Sequence, residues 1–250
     1  MQGENIFQLP RGETLFFTLL FEKSKKNSIK LGSFQLSYEP LKSEEEWGQN
    51  AGKITVDMKV ESKFKTINSH TTGYEIIGTD FMNTLKADYM IEDMKRTVHQ
   101  SLVFDGERSR ISIDETLKMH KEKNERPMTN IGLTGPPQIY NHTALLYKLR
   151  ALDLRQSEIV SLAVLYQRRL YPVLVEYQFN ASRSFSGEEI PCRVYGLRSN
   201  RGKVPPLRRQ FELNTASAWI SDDSRRFPLR FELNTQEGNL AADLNKVSTG

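Results

Sequence analysis

Gly52–Phe64 reads GKITVDMKVESKF, and its alternation decides the fold. Ile54, Val56, Met58 and Val60 fall on one side of an extended chain, while Thr55, Asp57, Lys59 and Glu61 fall on the other. Successive side chains of a strand point to opposite faces, so this period of two predicts a half-buried antiparallel strand.

The same rhythm recurs on both sides of that stretch. Gln100–Ile113 (QSLVFDGERSRISI) places Asp105-Gly106 between two apolar runs, the pattern of a hairpin with a type I′ turn. Asn68–Ile77 (NSHTTGYEII) offers a looser hairpin at Gly73. Tyr171–Asn180 (YPVLVEYQFN) sets Val173, Val175, Tyr177 and Phe179 against Leu174, Glu176 and Gln178. Ile190–Asn200, Arg208–Thr215 and Asn239–Leu244 continue as strands. Phe227–Asn234 (FPLRFELN) is expected to bury Phe227, Leu229, Phe231 and Leu233, with Pro228, Arg230 and Glu232 outward. FELNT occurs at both Phe211 and Phe231, and the match stops there, so it reads as two strands sharing a pattern.

Helical signals are fewer. Tyr140–Leu154 (YNHTALLYKLRALDL) follows the punctuating TGPPQ, and Asn141 can cap a helix over residues 141–154. Ala144, Leu145, Leu149 and Leu152 share one broad face of it. Thr79–Met90 (TDFMNTLKADYM) gives a weaker helical expectation, and the charged Ile113–Met128 reads as an ambiguous segment or loop. The chain is therefore expected to form one domain over residues 1–250. Two strand-rich halves, about residues 1–135 and 155–250, flank the helix. Many short antiparallel strands in one chain of this length imply a curved sheet forming a barrel or half-barrel.

Trp219–Thr235 (WISDDSRRFPLRFELNT) carries the most suggestive chemistry: two adjacent aspartates and two adjacent arginines between apolar runs. Asp and Ser favour turns because their side chains bond nearby backbone amides, so SDDSRR reads as a hairpin turn. The competing reading is a general acid–base pair. Such a pair needs two carboxyls facing one cleft about 5 to 9 Å apart, whereas sequence neighbours on a strand face opposite ways.

Other chemistry is sparse. Cys192 is the single cysteine, so no intrachain disulfide forms, and its strand context with Ile190 and Val194 makes it a small buried hydrophobe. His70, His99, His120 and His142 share no ligand spacing, no metal or cofactor is expected, and no nucleophile elbow or phosphate loop occurs. The formal net charge of +4 is a mild excess without a nucleic-acid motif, so no nucleic-acid partner is expected. Local basic groups (Lys23, Lys25 and Lys26; Arg168 and Arg169; Arg198, Arg201, Lys203, Arg208 and Arg209) read as solvated loops or as contacts to anionic lipid or phosphate. No run reaches the roughly 18 apolar residues of a membrane-spanning helix. The first residues lack a signal peptide's basic and apolar regions, leaving a cytosolic protein or an exported one whose signal has been removed.

NHTALLYKLRAL, with Thr143, Ala144, Leu145, Leu146, Tyr147, Leu149 and Arg150, resembles the helix of the bacterial family catalogued as domain of unknown function 3108. Trp219, Ile220, Ser221, Asp222, Asp223, Arg225, Arg226 and Pro228 resemble its later hairpin, and the opening strand around Gly12-Glu13 with a following glycine is similar too. Asn141-His142-Thr143 departs from the family's leading Asp. The resemblance implies a periplasmic or envelope-associated protein with a barrel or half-barrel akin to lipid carriers. It brings no catalytic residues.

Three function classes follow. The first is a non-enzymatic module binding an apolar or amphipathic ligand, such as lipid or an anionic glycolipid, with peripheral membrane contact; Tyr147, Arg150, Phe179, Trp219 and Phe231 are its candidate ligand-binding residues, beside Phe211 and Phe227. Tyr147 and Arg150 equally suit a core edge with polar ends in water. The second class is an interaction or scaffolding component that meets another envelope protein. The third is a polysaccharide-acting hydrolase, which needs convergent carboxylates that no motif supplies.

Overall fold

The computed structural model describes residues 12–24, 27–41, 51–61, 66–77, 82–105, 110–120, 126–134, 139–166, 169–199, 216–235 and 238–249. Its strands are β1 (Glu13–Ser24), β2 (Asn27–Pro40), β3 (Ala51–Glu61), β4 (Thr66–Ile77), β5 (Met82–Asp93), β6 (Arg96–Asp105), β7 (Arg110–Met119), β8 (Arg126–Thr134), β9 (Tyr140–Asn141), β10 (Ile159–Tyr166), β11 (Arg169–Phe185), β12 (Glu188–Ser199), β13 (Ala216–Ser221), β14 (Pro228–Thr235) and β15 (Gly238–Thr249). One helix, α1 (His142–Ala151), follows β9 among the described residues.

All fifteen strands join one sheet in the order β8-β7-β6-β5-β4-β3-β2-β1-β15-β14-β13-β12-β11-β10-β9. Each half is a meander, and the halves meet where the first and last strands pair antiparallel. The sheet is curved and unclosed, a half-barrel. The position of α1 shows the curvature. It touches β3, β4 and β5 in one arm and β10 and β13 in the other. A helix reaches strands so far apart in the sheet only from inside the curve.

Alternation assigns the two faces. Leu15, Phe17, Leu36, Tyr38 and Ile54 are buried in one cluster with Ala144, Tyr147 and Leu149 of α1, so their face is the concave one. A smaller cluster of Ala87, Leu102, Phe104, Ile111 and Ile113 lines the β5–β7 arm. Gly32 lets β2 and β3 approach closely: a Cβ there would lie 2.0 Å from the Lys59 carbonyl oxygen, and the register of β1 against β2 shifts beside it.

Several local expectations are corrected. Of Thr79–Met90, the described part is strand β5, paired with β4 and β6 on its two sides, so ladder formation overrides the helical composition. Gly73 is mid-strand, paired with Ile54 and Ala87, and makes no hairpin. Asp105 pairs with Arg110 as the last residue of β6, so the Asp105-Gly106 dipeptide is not the centre of a two-residue turn; residues 106–109 lie outside the described residues. Within Ile113–Met128, residues 113–119 lie in β7 and residues 126–128 in β8, with His120 in a turn; residues 121–125 lie outside the described residues. The expected strand at Arg208–Thr215 lies outside the described residues. Asn141 does cap α1: its side chain accepts from the Ala144 amide at 2.7 Å and the Thr143 hydroxyl at 2.6 Å. The helix stops at Ala151 rather than residue 154, with Leu152 already extended. Cys192 is buried, and burial pushes its thiol pKa up.

Candidate functional site

Tyr147 and Arg150 carry two sequence readings, a ligand-binding cavity wall and a core edge with polar ends in water. Both are fully buried in the core. Arg150 grips the Glu13 carboxylate with two nitrogens and donates to the carbonyls of Arg225 and Arg226, each at 3.0 Å. Arg226 reciprocates: its guanidinium donates to the Arg150 and Leu152 carbonyls and to the Tyr195 hydroxyl. Tyr195 in turn donates to the Leu152 carbonyl at 2.9 Å. The last carbonyls of α1 are thus capped by a hairpin on the far sheet arm, which explains why the helix ends early. A buried arginine is tolerable here because one carboxylate and two carbonyls meet its donors. The Tyr147 hydroxyl makes no hydrogen bond of normal geometry, while the Arg150 guanidinium lies 5.3 Å over its ring. Burial pushes the Tyr147 pKa up.

SDDSRR is a turn. The Asp223 carboxylate accepts from the Arg225 amide at 3.0 Å, the Arg226 amide at 3.2 Å, the Ser221 hydroxyl at 2.8 Å and the Arg225 guanidinium. Burial alone would raise its pKa, but the hydrogen bonds from Arg225 and Ser221 outweigh that and hold it below the usual carboxylate range. Asp222 pairs with Arg193 at 2.9 Å. The two carboxylates thus engage different partners, Asp223 within the turn and Asp222 on β12.

The remaining candidates separate onto two faces. Phe231 is concave, half-buried and 5.7 Å from Phe17, which stacks on Phe34 at 4.2 Å. Leu19, Tyr177 and Leu197 are also partly buried against the same core. Together they form an apolar floor across β2, β1, β14, β12 and β11. Trp219 and Phe179 lie on the convex face, opposite Ala218 and Phe231 in register. Trp219 is half-buried, edge-on to Phe179 at 6.1 Å and beneath the Arg183 guanidinium at 5.2 Å, while Phe179 is 48% exposed. Neither lines the concavity: a register shift at Tyr177/Phe179 turns Phe179 outward, and Trp219 alternates with the concave Ala218 and Ile220. A shift at Trp219/Ile220 adds Leu229 to β14, where Pro228, Leu229 and Arg230 are all buried; Arg230 keeps the outward face expected of it, in register with Trp219, and is covered there by its ion pairs. Arg230 is held by Asp243, Glu22 and Glu232. Burial alone would lower its pKa, but these carboxylates raise it. Phe227 is buried under the turn, and Phe211 lies outside the described residues.

A second surface escaped the sequence reading. A convex trough of about 540 Å³ runs across β1–β5 and the end of β15. Phe16, Gln35, Asp57, His70 and Met90 register side by side there, with Ser33, Lys59 and Asn68 adjoining. Asp57 contacts His70 Nδ1 at 2.5 Å, and His70 Nε2 contacts the Thr72 hydroxyl at 3.1 Å. That contact order is the one of a nucleophile relay. However, Thr72 is 93% shielded from solvent (7% exposed), and the ladders on both sides of β4 consume the amides an oxyanion hole would need. The trough was illegible in sequence because cross-strand registration of five strands creates it.

No family model matches this chain, and no curated protein matches it in sequence. A solved β-barrel-like protein of domain of unknown function 1849 from Brucella abortus is similar in fold, with a TM-score of 0.57 at 9% identity, covering 95% of this chain and 97% of that one. At that identity the likeness concerns the fold alone, over almost the whole length of both chains.

Proposed function

We propose that this protein is a non-enzymatic bacterial envelope module that seats an apolar or amphipathic ligand, such as lipid or an anionic glycolipid, on its concave face. The half-buried apolar floor of Leu19, Phe34, Tyr177, Leu197 and Phe231 carries this reading. An open apolar surface inside a curved sheet is where such folds hold ligands, with hydrocarbon burial worth about 25 cal/mol per Å². Ile29, 55% exposed and flanked along the β1–β2 hairpin by exposed Lys23 and Lys30, suits peripheral contact with an anionic membrane surface.

Native mass spectrometry of protein purified from its own host tests this. Wild type should carry a lipid-sized adduct, and Phe231→Glu should lose it while circular dichroism stays unchanged. A clean apoprotein mass, or an adduct that Phe231→Glu retains, overturns the reading. A copurifying protein in place of lipid turns the function toward scaffolding.

A further inference from the structure

The convex trough is chemically unlike the concave floor. Its charged side chains are largely engaged within the fold: Asp57 contacts the His70 imidazole, and Lys59 pairs with Glu61 at 2.5 Å. What remains for a ligand is neutral hydrogen-bonding capacity. The Gln35 and Asn68 amides make no side-chain hydrogen bond to any described residue, and the Ser33 hydroxyl stands beside them. Phe16 supplies a flat ring at one wall and Met90, 43% exposed, an apolar patch at another. The exposed Lys246 ammonium lies 5.4 Å from the Phe16 centroid, and no described carboxylate pairs with it. It is a donor at the Phe16 end of the trough, on a long side chain that can reach a bound ligand.

We propose that this trough binds a carbohydrate, independently of the ligand on the concave face. A pyranose ring offers an apolar face of C–H groups and an equatorial belt of hydroxyls. Phe16 matches the first, and Gln35, Asn68, Ser33 and Asp57 match the second. Amides serve hydroxyls best, since each presents donors and an acceptor together. The Asp57–His70–Thr72 chain fixes the imidazole in one orientation, so the polar wall is set before the sugar arrives and little ordering is lost on binding. A volume of about 540 Å³ falls within the range of small-ligand sites. The site binds without cleaving: among the described lining residues Asp57 is the lone carboxylate, and it is engaged by His70, whereas glycoside cleavage uses two carboxyls.

The test is a titration of ¹⁵N-labelled protein with maltotriose, cellotriose and chitotriose, each to millimolar concentration, followed by amide chemical shifts. At least one trisaccharide should move the Gln35 and Asn68 side-chain amides in fast exchange. Phe16→Leu, which keeps an apolar side chain but removes the flat ring, should weaken binding about tenfold or more. Asn68→Ala at an exposed position should weaken it several-fold, and serves if Phe16→Leu does not fold. Silence from all three sugars, or shifts confined to other strands, overturns the proposal. So does a response to inorganic phosphate alone, which would mark Lys246 as an anion contact. Lipid retention by Phe16→Leu should equal wild type, so the failure of either site is read separately.

Discussion

Arg150→Met should be among the most damaging single substitutions in this protein. The side chain is fully buried, and so is its partner Glu13, at 0% and 1% exposure. Removing one member of a buried ion pair leaves the other uncompensated and costs about 3–5 kcal/mol. Two carbonyls, of Arg225 and Arg226, also lose donors. Each unsatisfied acceptor adds about 1–3 kcal/mol, less where water enters from the turn. The expected loss is therefore about 4–6 kcal/mol, against a typical total stability of about 5–15 kcal/mol. Urea unfolding followed by tryptophan fluorescence and circular dichroism measures it. Glu13→Leu combined with Arg150→Met removes both charges and should recover about half of the loss, so the two sites are strongly coupled. A single-mutant loss below about 1 kcal/mol, or strict additivity of the two changes, would refute the buried-pair argument.

Tyr147→Phe should be neutral or stabilising within about 0.5 kcal/mol, because the buried hydroxyl it removes has no hydrogen-bond partner of normal geometry; a loss above about 2 kcal/mol in the same assay would contradict this. Desolvation lowers the His142 pKa to about 4, below its ordinary 6.5. The unfolded chain then binds a proton that the folded chain refuses, so stability is full above about pH 6.5 and falls, by up to about 3 kcal/mol, as pH drops toward 4. His142→Gln should flatten that part of a Tm-versus-pH curve, and an unchanged slope would rule out His142 as its source. Asp222→Asn with Asp223→Asn should cost about 1 kcal/mol by removing charge-assisted bonds within an exposed turn, leaving any bound ligand in place. Loss of the native ligand from the still-folded variant would make the turn a functional site.

Alternation along Ile54–Val60 and Val173–Val175, the Asn141 cap and the turn residues at Ser221–Arg226 were all readable, because each depends on contacts a few residues apart or on a period of two. Those local preferences determined a mostly antiparallel, curved sheet with one central helix. The errors share a cause. Thr79–Met90 and Gly73 were misassigned because pairing on both flanks outweighs local propensity. Phe179 was placed on the wrong side because a register shift moves side chains between faces, and single-sequence periodicity carries no trace of one. Glu13 and Arg150 lie 137 positions apart, and nothing in either neighbourhood announces the other. Arg150 was legible only as a helix residue suited to a cavity or a core edge; the fold made it a buried lock between helix, first strand and hairpin. The convex trough likewise exists only once five strands register Phe16, Gln35, Asp57, His70 and Met90 in a row. Sequence determined the elements, since those are set by short-range sterics and hydrogen bonding. Tertiary structure alone decided the sites, since those depend on which distant strands the sheet brings side by side.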